Sequence, residues 1–306
     1  MVRRYEATVY DSRRWDGFEL RPGDIIISTP PKCGTTWTQM ICAQLVLQQP
    51  ELPLPLDTLS PWIDMVTRAR AEVFADLAAQ THRRFIKTHT PLDGLPIDQT
   101  VTYICVGRDP RDVALSMDHH IDNMDMGAFL EARERAAAID GIELGPLPQP
   151  RPRPESERDR FWRWVDDETP PTQIGSSLRR TVEHVQTFRD AADDLDIVHL
   201  HYDDLKADLW GQMRELASHL RIEVAEDRWP SLVEAATFES MRTRADTTVP
   251  GGGREHWIDP AAFFSSGTSG QWRDLLDDAD VARYATRVRA LTSDDVVEWL
   301  HRDPID

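Results

Sequence analysis

The chain contains 306 residues, with 53 Asp and Glu against 35 Lys and Arg, so its formal net charge is -18, and 40% of its residues are hydrophobic. This charge disfavours nucleic acid and anionic membrane surfaces as partners, and the composition excludes a chain that is disordered throughout. The three cysteines exclude a disulfide framework, and neither an apolar signal segment nor an apolar run of the roughly 20 residues needed to cross a bilayer occurs. We therefore expect a cytoplasmic protein without an integral membrane span.

The first predicted element is a buried strand over 24–28, followed by a tight loop and a helix. The strand contains three consecutive isoleucines, a β-branched run that is typical of a strand covered on both faces. Two prolines and Gly34 then interrupt the chain before good helix formers continue to Pro50. Further strands, each followed by helical spacing, are predicted over 84–87, 101–106 and 197–201. This alternation predicts a single α/β domain over 1–306, with a central, mostly parallel β-sheet flanked by helices.

Two stretches interrupt the alternation. Between 123 and 172 the pattern degrades, and the run PLPQPRPRPESERDR is dense in proline and charge, which indicates an exposed, flexible loop excursion. The segment 247–264 is also irregular, and long irregular loops in compact domains often serve as lids or binding loops. Helical spacing returns over 277–300, where acidic patches predict a solvated face.

The loop after the first predicted strand has the features of an anion site. Lys32 precedes Gly34 by two residues, and Thr35, Thr36 and Trp37 lie at the predicted start of the helix. Backbone N–H groups at a helix N-terminus bind anions, and a glycine lets the chain approach a phosphate closely. Taken alone, the loop is equally compatible with an anion site and with a structural glycine turn followed by a capping threonine. No Gly-Lys pair occurs in the sequence, so the lysine and the magnesium-binding hydroxyl of an ordinary nucleoside triphosphatase loop are missing.

Two further motifs place polar side chains at the same edge of the sheet. His89 lies in FIKTHTPLDG just beyond a predicted strand, and ligands of parallel sheets bind outside the carboxyl ends of the strands. We therefore expect His89 to face the same rim as the lysine of the first loop. In GRDPRDVALS, Arg108 follows a strand and Ser116 lies about two turns into the next helix, an arrangement that suits a phosphate. The alternatives are a structural histidine and a surface salt bridge from Arg108 to Asp109 or Asp112.

The motifs PPKCGTTW, FIKTHTP and GRDPRDVALS, in this order and at these separations, resemble the cytosolic-type sulfotransferases that use 3′-phosphoadenosine-5′-phosphosulfate (PAPS). Within this family, the sequence resembles the mycobacterial glycolipid sulfotransferases. The resemblance continues through LHYDDLKADL, EAATFESMR and FFSSGTSGQW, and so spans roughly 24–276. Several ordered motifs together are more specific than any of them alone.

This resemblance implies a P-loop-like sulfotransferase fold in which the loop 32–37 holds the 5′-phosphosulfate of PAPS. It also implies that Arg108 and Ser116 bind the 3′-phosphate, that aromatic side chains lie against the adenine, and that His89 deprotonates an acceptor hydroxyl. Lys32 would stabilise the charge on the leaving phosphate, and the scheme requires no metal ion. The catalytic residues predicted in this way are His89 and Lys32, and the cofactor-binding residues are Lys32, Cys33, Gly34, Thr35, Thr36, Trp37, Arg108, Ser116, Tyr202, Phe238, Ser265, Ser266 and Gly267.

The chain departs from the family pattern at three places. Cys33 stands where the loop usually has serine, which would make the site sensitive to oxidation, and Ala236 replaces a residue with a hydroxyl. Ser265 and Ser266 replace an Arg-Lys pair, which removes two cations expected on the 3′-phosphate. Two alternatives therefore stand beside an active PAPS-dependent sulfotransferase: a kinase-like phosphotransferase that shares a phosphate loop, and a catalytically weak nucleotide-binding protein.

The acceptor is predicted only by class. Apolar residues in three loops are numerous enough to bind an aromatic or lipid-like hydroxyl compound, such as a small molecule or a glycolipid, and each is equally compatible with core packing. These residues are Trp62, Met117, Met124, Met126, Phe129, Trp162 and Trp164. A homodimer is compatible with Arg244, Thr248 and Val249, which match the family's dimer motif, although Gly253 replaces its acidic residue.

Overall fold

A parallel β-sheet forms the centre of the protein. The computed structural model describes residues 2–145, 152–250, 256–264, 267–302 and 305. Within these residues the sheet has four strands, in the order β2-β1-β3-β4 with every neighbouring pair parallel. The strands are β1 (Ile25–Ser28), β2 (Phe85–Thr88), β3 (Thr102–Gly107) and β4 (Ile197–His201). The predicted α/β class with a parallel sheet is confirmed, and the predicted strands differ from the observed ones by no more than one residue at either end.

The isoleucines of β1 pack against both faces of the sheet because successive side chains of a strand point to opposite sides. Ile25 and Ile27 belong to one apolar core cluster, and Ile26 belongs to the other. All three are essentially inaccessible to solvent. Each face of the sheet is therefore covered by a layer of helices, as the uninterrupted apolar run predicted.

The helices divide between the two faces. Side chains from α1, α2 and α8–α12 join the first cluster, and side chains from α3, α4, α6, α7, α13 and α14 join the second. The helices of the described residues are α1 (Thr35–Leu47), α2 (Leu56–Leu59), α3 (Arg70–Ala79), α4 (Pro110–Asp122), α5 (Met126–Asp140), α6 (Glu157–Val165), α7 (Leu178–Arg189), α8 (Tyr202–Ala207), α9 (Leu209–His219), α10 (Trp229–Ala235), α11 (Phe238–Thr243), α12 (Ala245–Thr248), α13 (Asp278–Arg289) and α14 (Asp294–His301). In that part of the chain, no helix is both long and apolar enough to span a membrane.

The predicted loop excursion over 123–172 is wrong for much of its length. Helices α5 and α6 occupy this stretch, and α6 buries Phe161, Trp162 and Val165 against the second core cluster. Ser156 caps α6 by accepting a hydrogen bond from the N–H of Asp159. The apolar side chains of α6 repeat at helical spacing on one face, and burying this face stabilises a helix that the surrounding proline and charge conceal.

The strand order determines where ligands bind. β1 lies between β2 and β3, so the chain leaves β1 towards one side of the sheet and later returns to its other side. Ligands of open parallel sheets bind at such a switch point, outside the carboxyl ends of the strands. The loop after β1 and the residue after β3, Arg108, both lie at this point.

We expect Phe161→Ala to lower the free energy of unfolding by about 3–5 kcal/mol, because truncating a buried phenyl ring leaves a cavity. Phe161 is 3% exposed, whereas Asp159 on the same helix is exposed. The matched variant Asp159→Ala should change stability by less than about 0.5 kcal/mol. Urea denaturation measures both. Equal, small effects would show that α6 is not part of the core.

Candidate active site

The loop between β1 and α1 presents unpaired backbone donors. Gly34 is the N-cap of α1 and has φ 101° and ψ 22°, and no side chain caps the helix. Lys32 also has a left-handed backbone conformation, with φ 68°. Thr29 Oγ1 lies 2.5 Å from Thr35 Oγ1, which fixes the end of the strand to the start of the helix. The first N–H groups of α1 have no intrahelical partner, so this end of the helix is suited to an anion.

His89 follows β2 directly and lies beside this loop. Its Nδ1 is 2.7 Å from the carbonyl oxygen of Thr29. A carbonyl can only accept, so Nδ1 carries the proton and Nε2 is left as the basic nitrogen. Burial, together with the positive charge of Lys87, holds the pKa of His89 well below its usual 6.5. His89 is therefore a neutral imidazole with a fixed tautomer.

Two lysines stand near this histidine in the cavity wall. Lys32 Nζ is 3.2 Å from Nδ1 of His120 and 4.7 Å from the centre of the Phe263 ring. Burial, with the positive charges of Arg108 and Lys87, lowers the pKa of Lys32 to about 7. Lys87 Nζ lies 4.2 Å from the centre of a tryptophan ring, and burial lowers its pKa to about 8. An anion bound here would raise both pKa values and stabilise the charged forms.

Sequence reasoning missed Lys87 and His120. Lys87 and His89 are two residues apart in an extended segment, so their side chains share one face, and a lysine at the end of an apolar strand was the available signal. His120 lies on α4 four residues after Ser116, which places both on the same face of that helix. Its contact with Lys32 joins residues 88 positions apart. That contact could not be inferred from local spacing.

Arg108 connects the first loop to a segment near the C-terminus. Nη1 donates to the carbonyl oxygen of Lys32 at 3.0 Å, and Nη2 donates to that of Thr268 at 3.1 Å. Nε is buried and has no partner among the described residues. The alternative of a salt bridge from Arg108 to Asp109 or Asp112 is wrong. Asp109 pairs with Arg111, and the carboxylate of Asp112 accepts hydrogen bonds from the N–H groups of residues 270 and 271.

Aromatic rings surround the outer side of the loop. The Trp37 and Tyr202 rings meet edge to face with their centres 5.4 Å apart. Trp37 Nε1 donates to the carbonyl oxygen of Ala236 at 2.8 Å, and the Tyr202 ring lies 4.3 Å from the guanidinium carbon of Arg108. Phe238 meets Phe264 with ring centres 5.8 Å apart. This arrangement provides flat apolar surfaces of the kind that pack against a purine base.

The structure brings most of the predicted site residues to one cavity of about 440 Å³. The predicted residues that line it are Lys32, Gly34, Thr35, Thr36, Trp37, His89, Arg108, Ser116, Tyr202, Phe238 and Gly267. Cys33 is fully buried beneath the loop, and burial raises the pKa of its thiol to about 12, which disfavours the oxidation expected from the sequence. Ser265 and Ser266 lie outside the described residues, as does Gly253.

The remainder of the cavity wall is largely apolar. It includes all but one of the apolar residues that the sequence suggested for an acceptor: Trp62, Met117, Met124, Met126, Phe129 and Trp164. The exception is Trp162, which packs in the core and donates from Nε1 to Asp280 at 3.0 Å. Trp257 and Phe263 add aromatic surface from the predicted irregular segment. The described residues contain no group of three His, Cys, Asp or Glu placed to hold a metal ion.

The sequence matches a known family over almost its whole length. A family model described as a sulfotransferase domain covers residues 22–298. A glycolipid sulfotransferase of Mycobacterium bovis is 39% identical over 312 residues, covering 97% of this chain and 93% of that protein. A glycolipid sulfotransferase of Mycobacterium tuberculosis is 38% identical over 305 residues with the same two shares. The chain belongs to the sulfotransferase family.

Solved structures agree with this assignment at the level of the fold. A mouse sulfotransferase in complex with PAP has a TM-score of 0.67 and 18% sequence identity, and the match covers 95% of this chain and 94% of that one. The protein is therefore a sulfotransferase with the P-loop-like fold of its family, as the sequence motifs implied. It is similar along its length to the two mycobacterial enzymes.

We expect Gly34→Ala to destabilise the protein more than Gly17→Ala does. Both positions have positive φ, so alanine is strained at each by about 1–2 kcal/mol. A Cβ at residue 34 would also lie 3.1 Å from the Tyr202 ring, whereas a Cβ at residue 17 meets nothing within 4 Å. Urea denaturation of the two variants isolates this contact. Equal losses would show that the loop can move away from Tyr202.

Proposed function

We propose that the protein transfers a sulfuryl group in line from PAPS to a hydroxyl of a lipid-like acceptor. The observation that carries this proposal is the meeting of a neutral histidine, the buried Lys87, the partly buried Lys32 and an uncapped helix N-terminus around one cavity. Family membership supports sulfuryl transfer, and the solved mouse relative carries PAP, the product nucleotide of PAPS.

The residues present fit a nucleotide with phosphates at both ends of its ribose. The uncapped N-terminus of α1 and the ammonium of Lys32 are suited to the 5′-phosphosulfate. Ser116 and Arg108, whose buried Nε has no partner among the described residues, are suited to the 3′-phosphate. Trp37 and Phe238 would pack against the adenine. When bound, PAPS supplies the sulfuryl group and the phosphate leaving group.

In this proposal His89 is the general base that accepts the proton of the acceptor hydroxyl. Its Nδ1 is engaged by Thr29, so Nε2 is the nitrogen available to accept that proton. The lowered pKa of His89 keeps this nitrogen free at neutral pH. General base catalysis of this kind contributes roughly 100- to 10,000-fold to rate.

Lys32 and Lys87 supply positive charge to this part of the cavity. Charge develops on the leaving oxygen during transfer, and preorganised cations in a site shielded from water stabilise it strongly. Burial lowers the pKa of both groups, so each is less well solvated than a free lysine and is preorganised to face an anion. Lys87 therefore joins Lys32 in the proposed catalytic machinery.

The acceptor proposal rests on the apolar wall and on the relatives. The wall beyond His89 is built from tryptophan, methionine and phenylalanine side chains, which suit an alkyl chain or ring better than a charged compound. Two relatives that match almost the whole chain are named glycolipid sulfotransferases. We propose a glycolipid or similar amphiphile as the acceptor, with its hydroxyl beside His89 and its apolar part along the wall.

The two alternative functions, a kinase-like phosphotransferase and a catalytically weak nucleotide-binding protein, now differ in their support. Family membership and the absence of a Gly-Lys pair in the sequence leave the kinase-like phosphotransferase without support. The catalytically weak nucleotide-binding protein was motivated by Ser265 and Ser266, whose placement the structure does not describe. Turnover by the purified protein would exclude the catalytically weak nucleotide-binding protein. Binding of PAP without turnover would support it.

We expect His89→Ala to lower kcat by roughly 100-fold or more while PAP affinity changes less than about threefold, because His89 acts on the acceptor proton. Radiolabelled PAPS with a neutral glycolipid measures turnover, and calorimetry measures PAP binding. His119→Ala is the control, since His119 is a neighbouring histidine of α4 whose side chain is 48% exposed. A kcat near that of the wild type would exclude His89 as the base.

We expect Arg108→Ala to weaken binding of PAP far more than binding of adenosine 5′-phosphate, which lacks the 3′-phosphate. A hydrogen bond to a charged group contributes roughly 1.5–3 kcal/mol, equivalent to about 10- to 100-fold in affinity. Calorimetric titration of both nucleotides gives the ratio of affinities. Equal losses would instead assign Arg108 a structural role in joining the two loops.

A further inference from the structure

Arg180 is a buried arginine that the proposed reaction does not yet use. It lies in the first turn of α7 and is 1% exposed. No carboxylate lies within salt-bridge distance of its guanidinium among the residues that the structure describes. Its neighbour Arg179, by contrast, is partly exposed and pairs with Glu168 and Glu183. A buried arginine without a counter-ion is rare, because charged groups are seldom buried unless they are paired.

The guanidinium of Arg180 contacts the residue proposed as the base. Nη2 donates to the backbone carbonyl oxygen of His89 at 2.8 Å. Nε and Nη2 donate to the hydroxyl oxygen of Tyr10 at 3.2 and 3.0 Å, and that hydroxyl donates to the carbonyl oxygen of Ile174. The Tyr5 ring lies 4.6 Å from the guanidinium carbon. Arg180 thus joins the N-terminal segment and α7 to the end of β2.

The partners of Arg180 are neutral, so its positive charge is not cancelled locally. Nη1 is buried and has no hydrogen-bond partner among the described residues. In a region of low dielectric constant, such a charge acts over several ångströms on its neighbours. The group most directly connected to it is His89, whose protonated form would place a second positive charge nearby.

We propose that Arg180 is a positioning residue for the sulfuryl transfer: it fixes the backbone that carries His89, and its uncompensated charge adds to burial and to the charge of Lys87 in opposing protonation of the imidazole. This inference rests on the proposed role of His89 as the base. Arg180 itself does not line the cavity, so it acts through the residues that it contacts, and His89 is the one proposed to take part in the chemistry.

Other ionisable groups also face His89 and have to be separated from Arg180. Lys87 on β2 and Lys32 in the first loop add positive charge, and burial together with these charges and that of Arg180 lowers the pKa of His89. His120 on α4 and His184 on α7 are neutral neighbours whose own pKa values are held well below the usual value, first by burial. Asp64 is the nearby carboxylate, and the hydroxyls of Thr88 and Thr90 donate to it. The experiment therefore changes only Arg180.

The test uses two substitutions that separate charge from geometry. Arg180→Gln removes the charge but keeps an N–H donor for the His89 carbonyl, and Arg180→Lys keeps the charge but loses the planar fork. Arg179→Gln is the matched control on the adjacent, ion-paired arginine. The pKa of His89 is followed by NMR titration of the histidine rings in the full-length protein, assigned by comparison with His89→Gln. Near-ultraviolet circular dichroism verifies that each variant is folded.

We expect the pKa of His89 to rise by more than about 0.3 units in Arg180→Gln, since removing a nearby like charge favours the protonated imidazole. It should stay within about 0.3 units of the wild type in Arg180→Lys and Arg179→Gln. With PAPS and octyl glucoside as the acceptor probe, the acidic limb of kcat should move to higher pH in Arg180→Gln alone. In Arg180→Lys, kcat should fall about tenfold because the planar guanidinium that holds the His89 backbone is lost. The acidic limb of its pH profile should not move, because the positive charge remains.

An unchanged pKa of His89 in folded Arg180→Gln would overturn the proposal. So would equal shifts in the Arg180→Gln and Arg179→Gln variants. If Arg180→Gln does not fold, Arg180→Lys still decides: a raised pKa of His89 in that variant overturns the role of the charge. If the NMR titration shifts as expected but the acidic limb of kcat does not follow, Arg180 controls His89 and the proposed base role of His89 is what fails.

Discussion

The hydrogen bond between His89 Nδ1 and the carbonyl oxygen of Thr29 is the constraint on which the site depends. It joins the residue after β1 to the residue after β2, across two paired parallel strands. Because of this bond, the imidazole has one tautomer and one orientation relative to the phosphate loop. The parallel register of β1 and β2 brings Thr29 close to His89 and so sets this distance through the backbone.

Burial gives the site its chemical character. A histidine and two lysines share a wall of tryptophan, methionine and phenylalanine, and the loss of water lowers all three pKa values. The same desolvation has opposite consequences for the two residue types. It keeps the imidazole in its basic form, and it leaves the ammonium groups favourable partners for an anion that replaces the missing water.

Much of this arrangement could be predicted from the sequence, because the strands are continuous apolar runs and the motifs follow them directly. The order of β1, β2 and β3 then brings Lys32, His89 and Arg108 to one edge. The helix α6 could not be predicted, since its buried face is short and lies next to proline-rich, charged chain. The contacts of Arg180 and His120 join residues 91 and 88 positions apart, and local spacing holds no information about such distances.

Arg108 is held by the carbonyl oxygens of Lys32 and Thr268, and these are main-chain atoms. Every amino acid supplies the same carbonyl, so the evolutionary drift of side chains in either loop leaves the guanidinium with its two acceptors. The neighbouring glycines limit this freedom, because Gly267 and Gly270 have positive φ and a Cβ at residue 267 would lie 2.9 Å from the Phe238 ring. A substitution that changes only the side chain of residue 32 or 268 therefore keeps both acceptors of Arg108, whereas a substitution of either glycine would move one of them.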